Sequence, residues 1–99
     1  MKYKKYNLQD VYDGEAQNKF NVISTFAGGG GSSTGYRLAG GKILCINEFV
    51  KEARNTYAEN YPNTPILPDD IKELTGQELL DASNIGVGEL DILDGSPPC

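Results

Sequence analysis

Phe26-Ala27-Gly28-Gly29-Gly30-Gly31-Ser32-Ser33 is the stretch on which the fold is decided. It follows an apolar, β-branched run, Phe20 to Thr25, and precedes a short segment, Ser32 to Ala39, able to form a helix. Consecutive glycines let the backbone turn with φ values that other residues resist, and they leave N–H groups open to a ligand. The strict G-x-G-x-x-G pattern fails, because Ser33 and Thr34 stand where its last glycine would fall after Gly30 and Gly31. Gly29, Gly31 and Gly35 fit the looser G-x-G-x-x-x-G. In isolation such a run is equally a glycine-rich hairpin. The strand before it and the helix after it favour a turn that holds a nucleotide-shaped ligand.

Working outward, the pattern alternates strand and helix. Phe20 to Thr25 reads as the first strand, and the first helix is expected to start at Ser32 or Ser33, either able to N-cap it, and to stop at Gly40-Gly41. Lys42 to Asn47 is a nearly continuous apolar run, as in a strand buried on both faces. From Phe49 to Tyr61, Val50, Ala53, Tyr57 and Tyr61 recur at helical spacing, and Pro62 ends the helix. Pro65 to Ile71 suits an edge strand leading into a loop. Thr75-Gly76-Gln77-Glu78 fits a capping box that opens a short helix through Leu79, Leu80 and Ala82. Leu90 to Leu93 reads as the fourth strand, with Gly95-Ser96-Pro97-Pro98-Cys99 as the turn at its end. Residues 1–19, with Tyr3, Tyr6 and Tyr12, show no sustained period and are expected to be a polar leader or a cap on the sheet. The alternation over residues 20–99 predicts an α/β fold: a Rossmann-like parallel sheet with helices on both faces.

The totals narrow the function classes. Ninety-nine residues make one small domain. Two cysteines, Cys45 and Cys99, argue against a disulfide framework, and with no histidine they also argue against a zinc site. The basic start at Met1 to Lys5 is followed by no apolar signal region, and no run is long enough to cross a bilayer, so a cytoplasmic location is expected. A net charge of −5 has the wrong sign for a chain that grips nucleic acid unaided.

Several side chains fall where a ligand in the glycine turn would need them. Glu48 follows the second strand, where a carboxylate can accept both hydroxyls of a ribose, and Phe49 beside it offers a face to a purine. Read alone, Glu48 is equally an acid at a helix start and Phe49 a core residue. Asp70 can accept from an adenine amino group and Ile71 can cover the ring, although Pro-Asp-Asp is equally a surface turn. Pro97-Pro98 is stiff and non-helical, and it holds Cys99 at a strand's carboxyl end, the edge where open parallel sheets bind ligands. A thiol there is a nucleophile once deprotonated. Cys45, among Ile and Leu in mid-strand, reads as an inert core residue.

These residues, in this order, resemble the N-terminal part of the DNA cytosine-C5 methyltransferases over roughly residues 20–99. The family's F-x-G-x-G-G motif is Phe26 to Gly31 and its acidic-aromatic pair is Glu48-Phe49. Its Asp-apolar pair is Asp70-Ile71, and its Pro-Cys nucleophile loop is Pro98-Cys99. The resemblance implies S-adenosylmethionine as cofactor. The loop Phe26, Ala27, Gly28, Gly29, Gly30 and Gly31 would hold its methionine end and Glu48 its ribose. Phe26, Phe49 and Ile71 would pack on adenine, Asp70 would bond its amino group, and Pro98 would line the site. Cys99 would attack C6 of a cytosine flipped out of DNA.

Two departures from the family pattern bear on function. Many relatives carry an acidic residue two positions ahead of the motif's Phe, where Ser24 stands, so the loop's hydrogen bonding is expected to differ. The sequence also lacks the later motifs and the DNA-reading region. The chain is therefore expected to act within a complete enzyme, with a C-terminal complementing half and DNA as partners, in a restriction–modification, phage or regulatory setting. The fourth strand's free edge would then favour self-association. Two other readings are a nicotinamide-dependent oxidoreductase domain, which G-S-P-P-C fits poorly, and a non-catalytic subunit of a split methyltransferase.

Overall fold

A computed structural model describes residues 5–95. Its elements are α1 (Leu8–Ala16), β1 (Phe20–Thr25), α2 (Gly31–Leu38), β2 (Gly41–Asn47), α3 (Lys51–Asn60), β3 (Ile66–Leu67), α4 (Gly76–Ser83) and β4 (Ile92–Gly95), with a 3-10 turn at Ile71–Glu73. The strands form one parallel sheet in the order β3-β2-β1-β4. Its core lies on both faces, as the α/β reading requires. On one face Val22, Ile43 and Ile46 pack with Val11 of α1 and with Tyr57 and Tyr61. On the other, Ile23 and Cys45 pack with Leu79 of α4. Cys45 is fully buried, and that burial pushes its thiol pKa up.

Each boundary that differs from the sequence reading has a local cause. The first helix starts at Gly31 with Gly30 as its N-cap at φ 105°, and no side chain caps it. Ser32 instead donates its hydroxyl to Asp94, and Ser33 is buried. The next helix starts at Lys51 rather than Phe49, because the Val50 N–H is taken by the Glu48 side chain and Val50 is extended. The edge strand is only Ile66–Leu67; Asp70 and Ile71 lie beyond it, where Asp70 caps the 3-10 turn by accepting from the Lys72 N–H at 3.0 Å. The fourth strand starts two residues later than Leu90. The Asp91 carboxylate takes the Asn21 N–H at 2.8 Å, so a side chain replaces the ladder there. The capping box of Thr75 and Glu78 is present.

Residues 8–16 form α1, whose Asn7 and Asp10 make their own capping box. The helix docks through Val11 and through Gly14, where an added Cβ would lie 2.2 Å from the Arg37 carbonyl oxygen. It thus serves as part of the core rather than as a detached leader.

Arg37 of α2 is fully buried. Its Nε donates to Glu15 Oε2 at 3.0 Å, Nη1 to the Tyr57 hydroxyl at 2.9 Å and Nη2 to the Thr64 hydroxyl at 2.8 Å. The guanidinium also lies over the Tyr61 ring, 3.7 Å from its centroid. Glu15 Oε2 accepts the Ile43 N–H of β2 as well, at 3.0 Å. One cation therefore links three helices, a loop and the sheet.

Removing one member of a buried charge pair strands the other. Arg37→Ala is expected to lower the stability of the chain by ~3–5 kcal/mol, read from urea denaturation. Arg37→Lys should recover little of it, since an ammonium cannot reproduce the planar fork. A loss below about 1 kcal/mol for Arg37→Ala would contradict this account.

Candidate functional site

The glycine turn leaves β1 with a left-handed residue, Phe26 at φ 53°, followed by Gly28 at φ 59° and Gly30 at φ 105°. A bulky residue in that region costs of order 1–3 kcal/mol and persists only where the surroundings impose it. Here they do. The Ala27 N–H donates to the Asn47 carbonyl at 3.1 Å, and the Gly28 N–H to Glu48 Oε1 at 2.7 Å. The Gly30 N–H returns to the Ala27 carbonyl at 3.2 Å. Gly30 lies against the rings of Tyr57 and Tyr61, where an added Cβ would come within 3.2–3.3 Å. At Gly28 a Cβ would meet nothing within 4 Å, so the backbone there faces open space.

Beside the turn lies a cavity of about 670 Å³. It gathers Phe26, Gly28, Glu48, Phe49, Asp70 and Ile71, six of the positions singled out in the sequence. Ala27 instead points into the core. Gly29 and Gly31 are exposed and Gly30 is packed on the tyrosines, so they shape the turn without lining the cavity. Pro98 and Cys99 lie outside the described residues. Gly95 pairs with Thr25, so the chain leaves β4 at the same sheet edge as the glycine turn.

Two of the open alternatives now separate. Phe49 is 65% exposed, which excludes the core reading and leaves its ring free for a ligand. Glu48 does more than start a helix: Oε1 holds the Gly28 N–H and Oε2 holds the Val50 N–H, at 2.7 and 2.9 Å. A carboxylate has about four acceptor positions, so each oxygen keeps capacity for a ligand hydroxyl. Asp70 meets both readings at once, since it caps its own turn through Oδ1 and also lines the cavity.

Three supporting residues escaped the sequence reading. Asn47 ends β2, and its Nδ2 donates to the carbonyls of Leu67 and Asp69 at 3.1 and 2.7 Å, fixing the segment that carries Asp70. A lone amide closing an apolar run was the available signal. Arg54 donates through Nη1 to the carbonyls of Glu48 and Phe49 at 3.2 and 2.6 Å, holding that pair in place. Asp94 stands opposite Ser24 in the β1–β4 register and accepts the Ser24 and Ser32 hydroxyls at 3.3 and 3.2 Å, both on Oδ2. The loop's hydrogen bonding at Ser24 thus runs to a carboxylate on the neighbouring strand. Burial raises the Tyr36 pKa, and the charge of Asp94 adds to the rise.

No helix among the described residues is long and apolar enough to cross a membrane. Residues 20–99 match the C-5 cytosine-specific DNA methylase family. The chain is 36% identical over 78 residues to the type II methyltransferase M.AquIA of Picosynechococcus sp., an alignment covering 79% of this chain and 32% of that protein. It is 37% identical over 79 residues to M.DdeI of Desulfomicrobium norvegicum, covering 80% of this chain and 18% of that one. Identity to M.Sau96I of Staphylococcus aureus is 32% over 99 residues, covering 98% of this chain and 22% of that protein. The chain therefore spans at most about a third of the length of these relatives. A crystal structure of a DNMT2 mutant from Spodoptera frugiperda superposes with a TM-score of 0.67 at 26% identity, covering 82% of this chain and 23% of that one. With a family match over four-fifths of its residues and the fold to go with it, the chain belongs to the C-5 cytosine-specific DNA methylases.

Proposed function

We propose that this chain is the cofactor-binding part of a DNA (cytosine-5-)-methyltransferase, and that the cavity beside the glycine turn takes S-adenosylmethionine. The observation that carries the reading is convergence. Segments after β1, β2 and β3 place an aromatic, a carboxylate and a second carboxylate around one cavity of about 670 Å³. These side chains fit an adenosine: Glu48 to accept from the ribose hydroxyls, Asp70 to accept from the adenine amino group, and Phe26, Phe49 and Ile71 as apolar cover. When bound, the cofactor supplies a methyl group on a sulfonium. The chain's own residues hold and orient it, and the tight turn from Ala27 to Gly31 keeps bulk away from its path.

In this reading DNA is the substrate and Cys99 the catalytic residue. The Cys99 thiolate adds to C6 of a flipped cytosine, which makes C5 nucleophilic. C5 would take the methyl group from the bound cofactor, leaving S-adenosylhomocysteine; a base would then remove the C5 proton, and the C6–sulfur bond would break to release the Cys99 thiolate. Residues that hold the target base and read the DNA belong to a complementing C-terminal part, in keeping with the chain's net charge of −5.

Equilibrium dialysis tests the cavity. The chain should bind S-adenosylhomocysteine in preference to NAD; the reverse preference would favour the oxidoreductase reading. Glu48→Ala should weaken the homocysteine ligand by ~1.5–3 kcal/mol, the scale of a charge-assisted hydrogen bond. Cys99→Ala should leave that affinity intact yet abolish methyl transfer when the chain is complemented by the C-terminal part of a related enzyme. Transfer that survives Cys99→Ala would remove the nucleophile role.

The outer edge of β4 makes no strand pairing among the described residues, and Leu93 is 62% exposed. An open edge of this kind invites another strand. The isolated chain should therefore self-associate with rising concentration in sedimentation velocity, and a monomer throughout would contradict this.

A further inference from the structure

The strand order β3-β2-β1-β4 reverses direction between β1 and β4, because the chain moves outward to β2 and β3 before returning to the other side of β1. The crevice at such a reversal, outside the carboxyl ends of the strands, is where open α/β sheets take ligands. Asp94 stands in it. Its Oδ2 accepts the hydroxyls of Ser24 on β1 and Ser32 on α2, at 3.3 and 3.2 Å. The carboxylate is half-buried and enters no ion pair among the described residues, where the Arg37–Glu15 bridge is the only one.

The acids along this edge are ordered. Asp70 follows β3, Glu48 follows β2, the glycine turn follows β1, and Asp94 lies on β4. Adjacent strands are ~4.8 Å apart, so a ligand with its base at Asp70 and its ribose at Glu48 reaches the β1–β4 crevice with its remaining end. In a methyl donor that end is an amino acid, bearing an ammonium and a carboxylate. The first turn of α2, uncapped by any side chain, presents N–H groups suited to the carboxylate. That leaves the ammonium, a cation with donors only, for an anion that has hydroxyl neighbours and no counter-ion among the described residues.

We infer that Asp94 accepts the ammonium group of the methyl donor's amino-acid end, an assignment that rests on the cofactor reading of the cavity. Ser24 and Ser32 hold the carboxylate in place, and Asp94 selects the intact amino acid over analogues that lack the amine. The contact also ties cofactor occupancy to the strand that leads into the Pro-Cys segment.

Calorimetric titration of the 99-residue chain with S-adenosylhomocysteine and with its deaminated analogue tests the assignment. The wild-type chain should prefer the amine-bearing ligand about ten- to a hundredfold, and Asp94→Asn should reduce that preference to about twofold or less. Asp94→Glu, which keeps the charge, should retain most of it. No preference in the wild-type chain overturns the assignment, a result that needs no variant to fold. Equal weakening of both ligands in Asp94→Asn also overturns it, since the residue would then only hold α2 on the sheet. A wild-type chain that binds neither ligand overturns the cofactor reading itself.

Discussion

The buried guanidinium of Arg37 fixes the positions of the elements that carry the site. Its charge is out of water, so its attractions offset the desolvation only when Glu15, Tyr57 and Thr64 are all in place. The requirement orients α1, α2 and α3 on one face of the sheet at once. It also reaches the glycine turn. Tyr57 and Tyr61, which flank the guanidinium, are the rings against which Gly30 lies. A shift of the cation would move the aromatic floor of the turn, where a Cβ at Gly30 would press on the rings at 3.2–3.3 Å and where φ of 105° already favours glycine.

Above this base, the ends of the strands are joined by side chains rather than by further ladder. Asn47 connects β2 to the end of β3, Glu48 connects β2 to the glycine turn, and Asp94 connects β4 to β1 and α2. Each uses backbone N–H or carbonyl groups, or hydroxyls, that a parallel sheet leaves without partners where its strands stop. The site is thereby organised before any ligand arrives, which lowers the ordering cost of binding. The left-handed Phe26 is consistent with this, because the bonds at Ala27 and Gly28 hold on both sides of the turn it opens.

Much of this was legible in the sequence, and the parts that were not share a cause. β2 announces itself as a nearly continuous apolar run, as a strand buried on both faces should be, and β1 as an apolar, β-branched run leading into the glycine turn. Glu48 and Phe49 could be picked out by their distance from that turn, and Asp70 and Ile71 by their place at the close of the third strand; the four do meet at one cavity. Arg37 was not legible, since a charged residue in an amphipathic segment ordinarily faces water. Its burial depends on Glu15 and Thr64, distant in the chain. The same holds for Asp94, whose partner Ser24 is 70 positions away and is set beside it only by strand register. Helix α1 offered two apolar contacts, Val11 and Tyr12, too few for a visible period, and a glycine whose value lies in the close approach to Arg37. The late start of β4 turned on one carboxylate, Asp91, taking an N–H that the ladder would otherwise have used.

Glu48 shows how one side chain can set several features of a site. With one oxygen it closes the glycine turn at Gly28; with the other it takes the Val50 N–H and delays the start of α3. The delay keeps Phe49 and Val50 out of the helix and leaves them 65% and 51% exposed. Apolar surface left in water forgoes roughly 25 cal/mol for each Å² that could have been buried. Phe49 and Val50 both line the cavity beside the glycine turn, so a molecule held there would cover them. The carboxylate proposed to hold a ribose is thus also the group that keeps an aromatic ring out beside it, so a single pair of hydrogen bonds sets both the acid and the ring at this cavity.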